Sequence, residues 1–212
     1  MKDGLIGKKI GMTRIYDDNG QVHPATVIHV AGNQVIQIKS LEKDGYTAVQ
    51  VGYEDVKESR VTKPLLGHFR KHSASPKRII REFQYTETPS PGKIIPITLF
   101  SPGDYVDVIG ITKGRGFMGV VRRYRFAGQP ASHGSMMHRR TGAIGCRLTP
   151  GRVFKNKRMP GHMGNVRRTV QNLKVLQVRQ DDGVIVVRGS VPGANGTFVV
   201  VRRAVKKITK NN

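Results

Sequence analysis

The feature that most constrains this chain is a stretch of 73 residues, 108–180, that contains no aspartate or glutamate. The same stretch carries 16 lysines and arginines. The surfaces of ordinary soluble domains mix both signs of charge, because a field of one sign repels itself and destabilises a compact state. The stretch therefore needs negative charge from a partner, and nucleic-acid phosphate is the densest source of such charge in a cell.

The charge is unevenly distributed along the 212 residues, whose net charge is +23. Residues 1–107 include 15 basic and 12 acidic residues, and residues 181–212 include six basic and two acidic residues. The ends therefore predict a near-neutral globular body, whereas the middle predicts a basic segment. Cys146 is the single cysteine, which excludes an intrachain disulfide. We find no run of 18 apolar residues and no long signal core, so we expect a cytoplasmic protein without a membrane span.

The pattern of the two ends favours a mainly β fold, namely a small antiparallel β-barrel with one or two short helices. Short segments rich in Val, Ile and Tyr alternate with turn sequences, of which 180–183 (QDDG) is the strongest. A helix is predicted at 63–71, with Thr62 as N-cap and Pro64 in the first turn, and a second at 117–125. The proline-rich region 87–102 favours a loop that contains at most one short strand. Strands are predicted at 5–16, 22–30, 34–40, 46–53, 78–85, 104–112, 172–179, 184–188 and 197–203.

The domain organisation follows from this contrast. We predict a barrel body formed by 1–110 plus 167–212, and a long, irregular, basic internal extension at 111–166. From 127 to 166 the sequence has little periodicity and many glycines and prolines. Such a segment cannot bury enough apolar surface to fold by itself, so we expect it to gain order on a partner.

Residues 114–119 read GRGFMG, a G-x-G-x-x-G pattern that follows a predicted strand. A dinucleotide site would also need an acidic residue about 20 positions further on and a parallel strand, and neither follows. Two interpretations remain: a tight turn in which glycine permits unusual backbone angles, or a close phosphate contact at a helix N-terminus. We favour the phosphate contact, because Lys113, Arg115, Arg122 and Arg123 add positive charge around it.

The basic residues predict a nucleic-acid interface rather than a solvated face or a localisation signal. A signal would be a compact run of five to eight residues, whereas this pattern is spread over about 50 residues and interleaved with Gly, Phe, His and Met. Arginine outnumbers lysine by 12 to 4 in 108–180, and arginine suits bidentate phosphate contacts and stacking on bases. The predicted binding residues are Lys113, Arg115, Arg122, Arg123, Arg125, His133, His138, Arg139, Arg140, Arg147, Arg152, Lys155, Lys157, Arg158, His162, Arg167 and Arg168.

Other chemistry has little support in the sequence. A zinc site needs four ligands, and the three histidines of the extension have one cysteine and no acid beside them. General acid–base catalysis and magnesium-dependent cleavage both need carboxylates, which the basic region lacks. We therefore expect no catalytic residue, metal, cofactor or small-molecule substrate. The sequence contains no helix-turn-helix, zinc finger or basic zipper, which are the motifs that read duplex DNA. It therefore favours folded RNA over duplex DNA as the partner.

Several segments resemble one known family, the bacterial ribosomal protein L-three family. The opening segment at 4–16, GLIGKKIGMTRIY, is similar to the start of its members, and 100–123 resembles the family signature. Further similar segments lie at 132–134, 142–145, 149–153, 159–165 and 191–194. The resemblance covers nearly the whole chain.

The resemblance implies a structural constituent of the large ribosomal subunit that binds large-subunit rRNA directly and nucleates assembly near its 3′ end. It implies a translation-protein-like barrel and an extension whose tip, near 142–151, approaches the peptidyl transferase centre. Large-subunit proteins number fourteen and nineteen would be neighbours. A free translation factor or RNA chaperone with a similar barrel is the alternative, although no P-loop is found, and an RNA-modifying enzyme is a third hypothesis.

The chain departs from some members of this family at one position of the tip. Those members carry a glutamine that is methylated on its side-chain nitrogen, and the matching residue here is Leu148. Leucine has no amide, so we expect no such modification.

Overall fold

A computed structural model of the chain describes residues 3–85 and 89–207, and in these ranges the protein is mainly β. The prediction of a mainly β fold is therefore confirmed. The strands are β1 (Gly4–Tyr16), β2 (Val22–His29), β3 (Gln34–Lys39), β4 (Ala48–Asp55), β5 (Lys77–Phe83), β6 (Tyr105–Ile111), β7 (Phe117–Met118), β8 (Gly161–His162), β9 (Arg167–Arg179), β10 (Val184–Arg188) and β11 (Phe198–Arg203). The helices are α1 (Leu41–Asp44), α2 (Lys63–Lys71) and α3 (Val120–Tyr124).

The chain divides into two compact units. The first, which we call the barrel unit, comprises the described residues up to Ile111 and those from Arg167 onward. The second, which we call the arm, is Thr112–Val166.

The barrel unit is built from six antiparallel strands in the order β1-β11-β6-β9-β10-β2, and β2 pairs back onto β1 to close the barrel. A separate three-stranded sheet has the order β3-β4-β5. Strands β6 and β10 contain continuous buried runs, Val106 to Gly110 and Val184 to Val187. Such runs indicate strands that are covered on both faces, which is why their sequences are uninterrupted stretches of mostly Val and Ile.

The hydrophobic core of this unit is formed by buried aliphatic and aromatic residues from nearly all its strands. Leu5, Ile28 and Ile185 have no exposed surface, and Phe100 has 1%. Burying each of these side chains contributes roughly 1.5–3 kcal/mol. The buried side-chain amide of Asn33 links β1 to the end of β2 by hydrogen bonds. It donates to the carbonyls of Ile6 (2.8 Å) and Val30 (2.6 Å) and accepts from the Ile6 N–H (2.9 Å).

The structure corrects several sequence expectations. Three helices are present among the described residues rather than one or two, because 41–44 forms a single helical turn that ends at Gly45 with φ 78°. The helix expected at 117–125 begins only at Val120, since residues 117 and 118 pair with β8. Strand β9 begins at Arg167, five residues before the predicted start. In the expected loop 87–102, residues 87 and 88 lie outside the described residues, and the rest contains one bridge, from Gln34 to Ile94, and a helical turn at Ile97–Leu99.

Other local predictions are confirmed. Helix α2 has the predicted bounds with Thr62 as N-cap, although the Thr62 hydroxyl makes no capping hydrogen bond. The 180–183 turn joins β9 to β10, and the Gly183 N–H donates to the Gln180 carbonyl at 3.1 Å. No helix within the described part of the chain has the length and apolarity to cross a membrane.

Candidate nucleic-acid interface

The arm begins and ends at a pair of hydrogen-bonded residues. The Thr112 N–H donates to the Val166 carbonyl at 3.0 Å, and the Asn165 N–H donates to the Thr112 carbonyl at 3.2 Å. Further along, the Arg115 N–H donates to the Met163 carbonyl, and the Met163 N–H donates to the Gly116 carbonyl, both at 2.9 Å. Strands β7 and β8 continue this antiparallel pairing, with Phe117 opposite His162. The two legs of the arm are therefore joined by backbone hydrogen bonds at its base.

This pairing accounts for one glycine of the G-x-G-x-x-G pattern, Gly116, and for Gly164 on the opposite leg. Gly116 has a φ of +68°, a left-handed backbone conformation that favours glycine, and its carbonyl accepts from the Met163 N–H. On the opposite leg, Gly164 has a φ of +76°, and a Cβ there would overlap with the carbonyl oxygen of Lys113. Because β7 and β8 are antiparallel and α3 has only five residues, the arrangement differs from a dinucleotide-binding unit. The tight-turn interpretation is thus supported at Gly116, and the phosphate contact at this segment stays a prediction.

Helix α3 attaches to the opposite leg through Arg123. Its Nη1 donates to the Met159 carbonyl at 2.8 Å, and its guanidinium lies 5.1 Å from the centre of the Tyr124 ring. Arg158 lies 5.7 Å from the same ring. Gly161 makes room for this interaction, since a Cβ on it would overlap with Arg123 Nη1. We call this group of Arg123, Tyr124, Arg158 and Gly161, with the Met159 carbonyl, the arm clasp.

Beyond the clasp, the arm has no helix or strand between Arg125 and Pro160. Its shape depends on isolated backbone hydrogen bonds, such as the Gln129 N–H to the His138 carbonyl (2.7 Å) and the Arg140 N–H to the Met137 carbonyl (2.8 Å). Val120 is the only buried residue of the arm, all of whose residues are described. The arm therefore lacks a hydrophobic core of its own, as its sequence predicts.

The structure places 15 of the 17 predicted binding residues in the arm, and the other two, Arg167 and Arg168, at the start of β9. All are exposed except Arg123, which is half-buried. His133, His138 and His162 are exposed too, and the described residues contain no group of three or more His, Cys, Asp or Glu that could hold a metal ion. The predicted set thus consists mostly of exposed cations and imidazoles, and two of its members, Arg123 and Arg158, belong to the arm clasp.

The electrostatics of the two units differ. The arm carries 12 lysines and arginines and no carboxylate, so no ion pair can form within it. Between described residues, the ion pairs all lie in the barrel unit, for example Lys77 with Asp55 at 2.7 Å and Arg202 with buried Asp107 at 3.4 Å. Arm arginines instead lie over aromatic rings, as Arg152 does over Phe154 at 5.8 Å. The positive field of the arm therefore has no internal compensation.

Apolar side chains are also exposed on the arm. The exposed fractions are 84% for Met136, 90% for Leu148 and 60% for Phe154. Exposed apolar groups among cations, with no acid between them, form a surface suited to a partner that offers both phosphates and flat apolar faces. Tyr124 was not among the predicted binding residues, although its position inside the Arg-Arg-Tyr-Arg run at 122–125 is a sequence signal for cation–π contact.

The β fold and the carboxylate-free cationic arm define a basic, mainly β protein with a long insertion, and comparison with known proteins identifies the family. Residues 78–185 match the model of the family described as ribosomal protein L3. The proteins named large ribosomal subunit protein uL3 from Akkermansia muciniphila, Nitrosococcus oceani and Brachyspira hyodysenteriae are 55%, 48% and 46% identical to the chain. These alignments cover 96%, 99% and 98% of the chain and 99%, 100% and 96% of the relatives.

The chain belongs to the ribosomal protein L3 family. The resemblance stated from its motifs is therefore confirmed. Members of this family are structural proteins of the ribosome rather than enzymes, in agreement with the expectation from the sequence.

Proposed function

We propose that this chain is a structural constituent of the large ribosomal subunit in the cytoplasm, and that it binds large-subunit rRNA directly through the exposed cations of the arm. On this proposal the chain nucleates assembly near the rRNA 3′ end. Its barrel, of the translation-protein type, and its arm act as separate parts, and the arm extends toward the peptidyl transferase centre. The neighbouring proteins would be large-subunit proteins number fourteen and nineteen.

The observation that carries the proposal is the uncompensated charge of the arm. Twelve cations without a single carboxylate repel one another, and this repulsion destabilises any compact arrangement of the free arm. Phosphate neutralises these cations and releases the counterions that RNA has condensed, which makes binding favourable and strongly dependent on salt. A membrane surface or an acidic protein would neutralise charge as well, but the family's ribosomal setting favours rRNA.

The distal part of the arm suits folded RNA rather than a regular duplex. His133, His138, Phe154 and the neighbouring arginines offer planar groups on which unstacked bases can lie. The irregular backbone between Arg125 and Pro160 fits an irregular cavity, whereas duplex readers present a helix or ribbon to a groove. At the tip, Leu148 is exposed and has no amide, so the proposal includes an apolar contact there and no side-chain methylation.

The experiment that tests this function is crosslinking of the full chain to rRNA within assembled large subunits. The tagged chain is expressed in cells, the large subunits are washed in high salt, and ultraviolet crosslinks are mapped on both rRNA and peptide. We expect the chain to remain on the subunit and the crosslinked peptides to come mainly from the arm. A free factor or chaperone would leave the subunit in the wash, and this result would overturn the proposal.

Two triple variants test whether the exposed cations of the arm hold the chain on the subunit. Replacing the exposed cations Arg139, Arg140 and Arg152 with glutamine removes positive charge without touching the clasp, and we expect fewer arm crosslinks and weaker retention. The matched control replaces Arg70, Arg78 and Arg179, three exposed arginines that already pair with carboxylates. Equal retention of both triple variants would contradict a binding role for the arm.

A further inference from the structure

A second group of cations lies on the barrel unit, and none of its members belongs to the set predicted from the sequence. In the register of β6 and β9, Tyr105 lies directly opposite Lys174. In the register of β9 and β10, Val187 lies opposite Val175, so Arg188 comes beside Lys174. With neighbouring strands about 4.8 Å apart, the three side chains form a row roughly 10 Å long across three strands.

Lys207 completes this group from the segment after β11. Its Nζ lies 4.1 Å from the centre of the Tyr105 ring. The pKa of the Tyr105 hydroxyl is lowered from its ordinary value, first because Lys207 donates a hydrogen bond to it and carries positive charge, and further because Lys174 and Arg188 are close. Lys174, Arg188 and Lys207 are all exposed, and Tyr105 is half-buried. We call these four residues the barrel row.

The cations of the row have no carboxylate partner among the described residues. None of the three lies within 4.0 Å of a carboxylate oxygen, whereas Arg179, on the same strand as Lys174, lies 3.9 Å from Asp182. Lys174 and Arg188 line a cleft of about 370 Å³ together with Asp17 and Asp18. The Asp17 carboxylate already accepts from the Asp18 N–H at 2.9 Å and lies 3.6 Å from His23 Nε2.

Asp104 is the remaining acid beside Tyr105 in the sequence, and its carboxylate accepts a hydrogen bond from the Ser101 N–H at 2.9 Å. Asp17 and Asp18 offset part of the charge across the cleft, but no described carboxylate forms an ion pair with the row, so its cations are available to a partner. An extended row of cations with an aromatic ring at one end matches a sugar–phosphate backbone, along which phosphates repeat and against whose bases a ring can stack. A single small anion would need convergent donors instead.

We propose that the barrel row is a second rRNA-binding site, at which Lys174, Arg188 and Lys207 contact the phosphates of a strand and Tyr105 packs against its sugar or base. This inference rests on the proposed function, because it takes large-subunit rRNA as the partner. It adds to the barrel unit a binding surface separate from Arg167 and Arg168, the two predicted binding residues at the start of β9.

The test compares two triple variants of the full chain in equilibrium binding to large-subunit rRNA at several potassium chloride concentrations. The test variant is K174Q/R188Q/K207Q, and the control is R70Q/R78Q/R179Q, which removes the same charge from ion-paired, exposed positions. Each phosphate that is no longer neutralised should reduce the slope of log K against log salt by roughly 0.7–0.9, which is roughly a five- to eightfold fall in affinity at 0.1 M salt. We expect the test variant to leave two or three phosphates without a cation, and the control to leave none.

The outcomes separate this inference from the proposed function. If the wild type prefers large-subunit rRNA over an unrelated RNA and the test variant has the slope of the control, the barrel row is not a binding site, while the proposed function stands. If the wild type shows no preference for large-subunit rRNA, both proposals fail. All substituted side chains are exposed, and an exposed ion pair contributes only about 0–1 kcal/mol, so we expect both variants to remain folded at the temperature of the binding measurement. The variant K174R/R188K/K207R should retain the wild-type slope.

Discussion

The arm clasp leads to a prediction that involves no change of charge. In the variant Gly161→Ala, the new Cβ would overlap with Arg123 Nη1 and lie 3.0 Å from Arg123 Cζ. Gly161 does not have a positive φ, so alanine meets no backbone strain at this position. The flexible end of Arg123 is the group that must move, and its movement breaks the 2.8 Å hydrogen bond to the Met159 carbonyl.

The expected magnitude follows from the interactions that this movement removes. A hydrogen bond from a charged group contributes about 1.5–3 kcal/mol, and an exposed cation–π interaction contributes about 0.5–1 kcal/mol. Arg123 is half-buried, and it can find water or a new position after it moves, so part of this energy is recovered. We expect the base of the arm to lose about 1.5 kcal/mol of local stability, which corresponds to a roughly tenfold change in the opening equilibrium.

The assay is amide hydrogen exchange of the free protein, resolved at the N–H groups of Arg115 and Met163, which bond the two legs of the arm. We expect both to exchange roughly tenfold faster in Gly161→Ala. The control is Gly119→Ala, where the new Cβ meets no atom within 4 Å and φ is −69°. If both variants exchange alike, or if Gly161→Ala has the same effect in an Arg123→Ala background, the clasp does not hold the legs together.

Two further predictions concern the barrel unit. Asn33→Ala leaves one N–H and two carbonyls without a buried partner. The free energy of unfolding, measured by denaturant titration, should therefore fall by at least about 2 kcal/mol. An unchanged midpoint of unfolding would contradict the role of this amide. The Glu54 pKa is lowered by the hydrogen bond from Lys8, by that from Arg78 and by the charges of both. Because the Glu54 pKa is lower in the folded protein than its value of about 4.5 in the unfolded chain, the ionised carboxylate stabilises the fold above pH 4.5. This stabilisation is lost as the pH falls through the pKa of the folded protein. Glu54→Gln should therefore flatten the loss of stability below about pH 4.5. A variant that loses stability in acid as steeply as the wild type would refute this assignment.

Much of the fold was accessible from local sequence because strands and turns leave local signals. The alternating and continuous runs of Val and Ile located the barrel-unit strands within a few residues, and the glycine at 183 marked the turn between β9 and β10. Helix α1 was missed because one helical turn of Leu-Glu-Lys-Asp before a glycine reads equally well as a β-turn. Strand β9 was predicted too short because Arg167, Arg168 and Gln171, which precede the predicted start, are exposed and polar.

The interactions that distinguish one cation from another were not accessible in this way. Arg122 and Arg123 are neighbours in one basic run, yet only Arg123 is held by a carbonyl 36 residues away. Strands β7 and β8 are also two residues each and lie more than 40 positions apart, so no local pattern specifies their pairing. The barrel row similarly depends on the register of three strands, and each of its cations taken alone resembles an ordinary surface residue.

The most direct test of the central claim is the salt dependence of binding between the full chain and large-subunit rRNA, measured with and without the exposed charges of the arm. The variant replaces Arg115, Arg122, Arg139, Arg140, Arg147 and Arg152 with glutamine. If the arm's charge is neutralised by rRNA phosphate, the slope of log K against log salt should fall by roughly 0.7–0.9 for each phosphate that loses its arginine, so by about 4–5 if all six arginines bind one. A variant that binds with the wild-type slope would contradict the claim that rRNA supplies the missing negative charge.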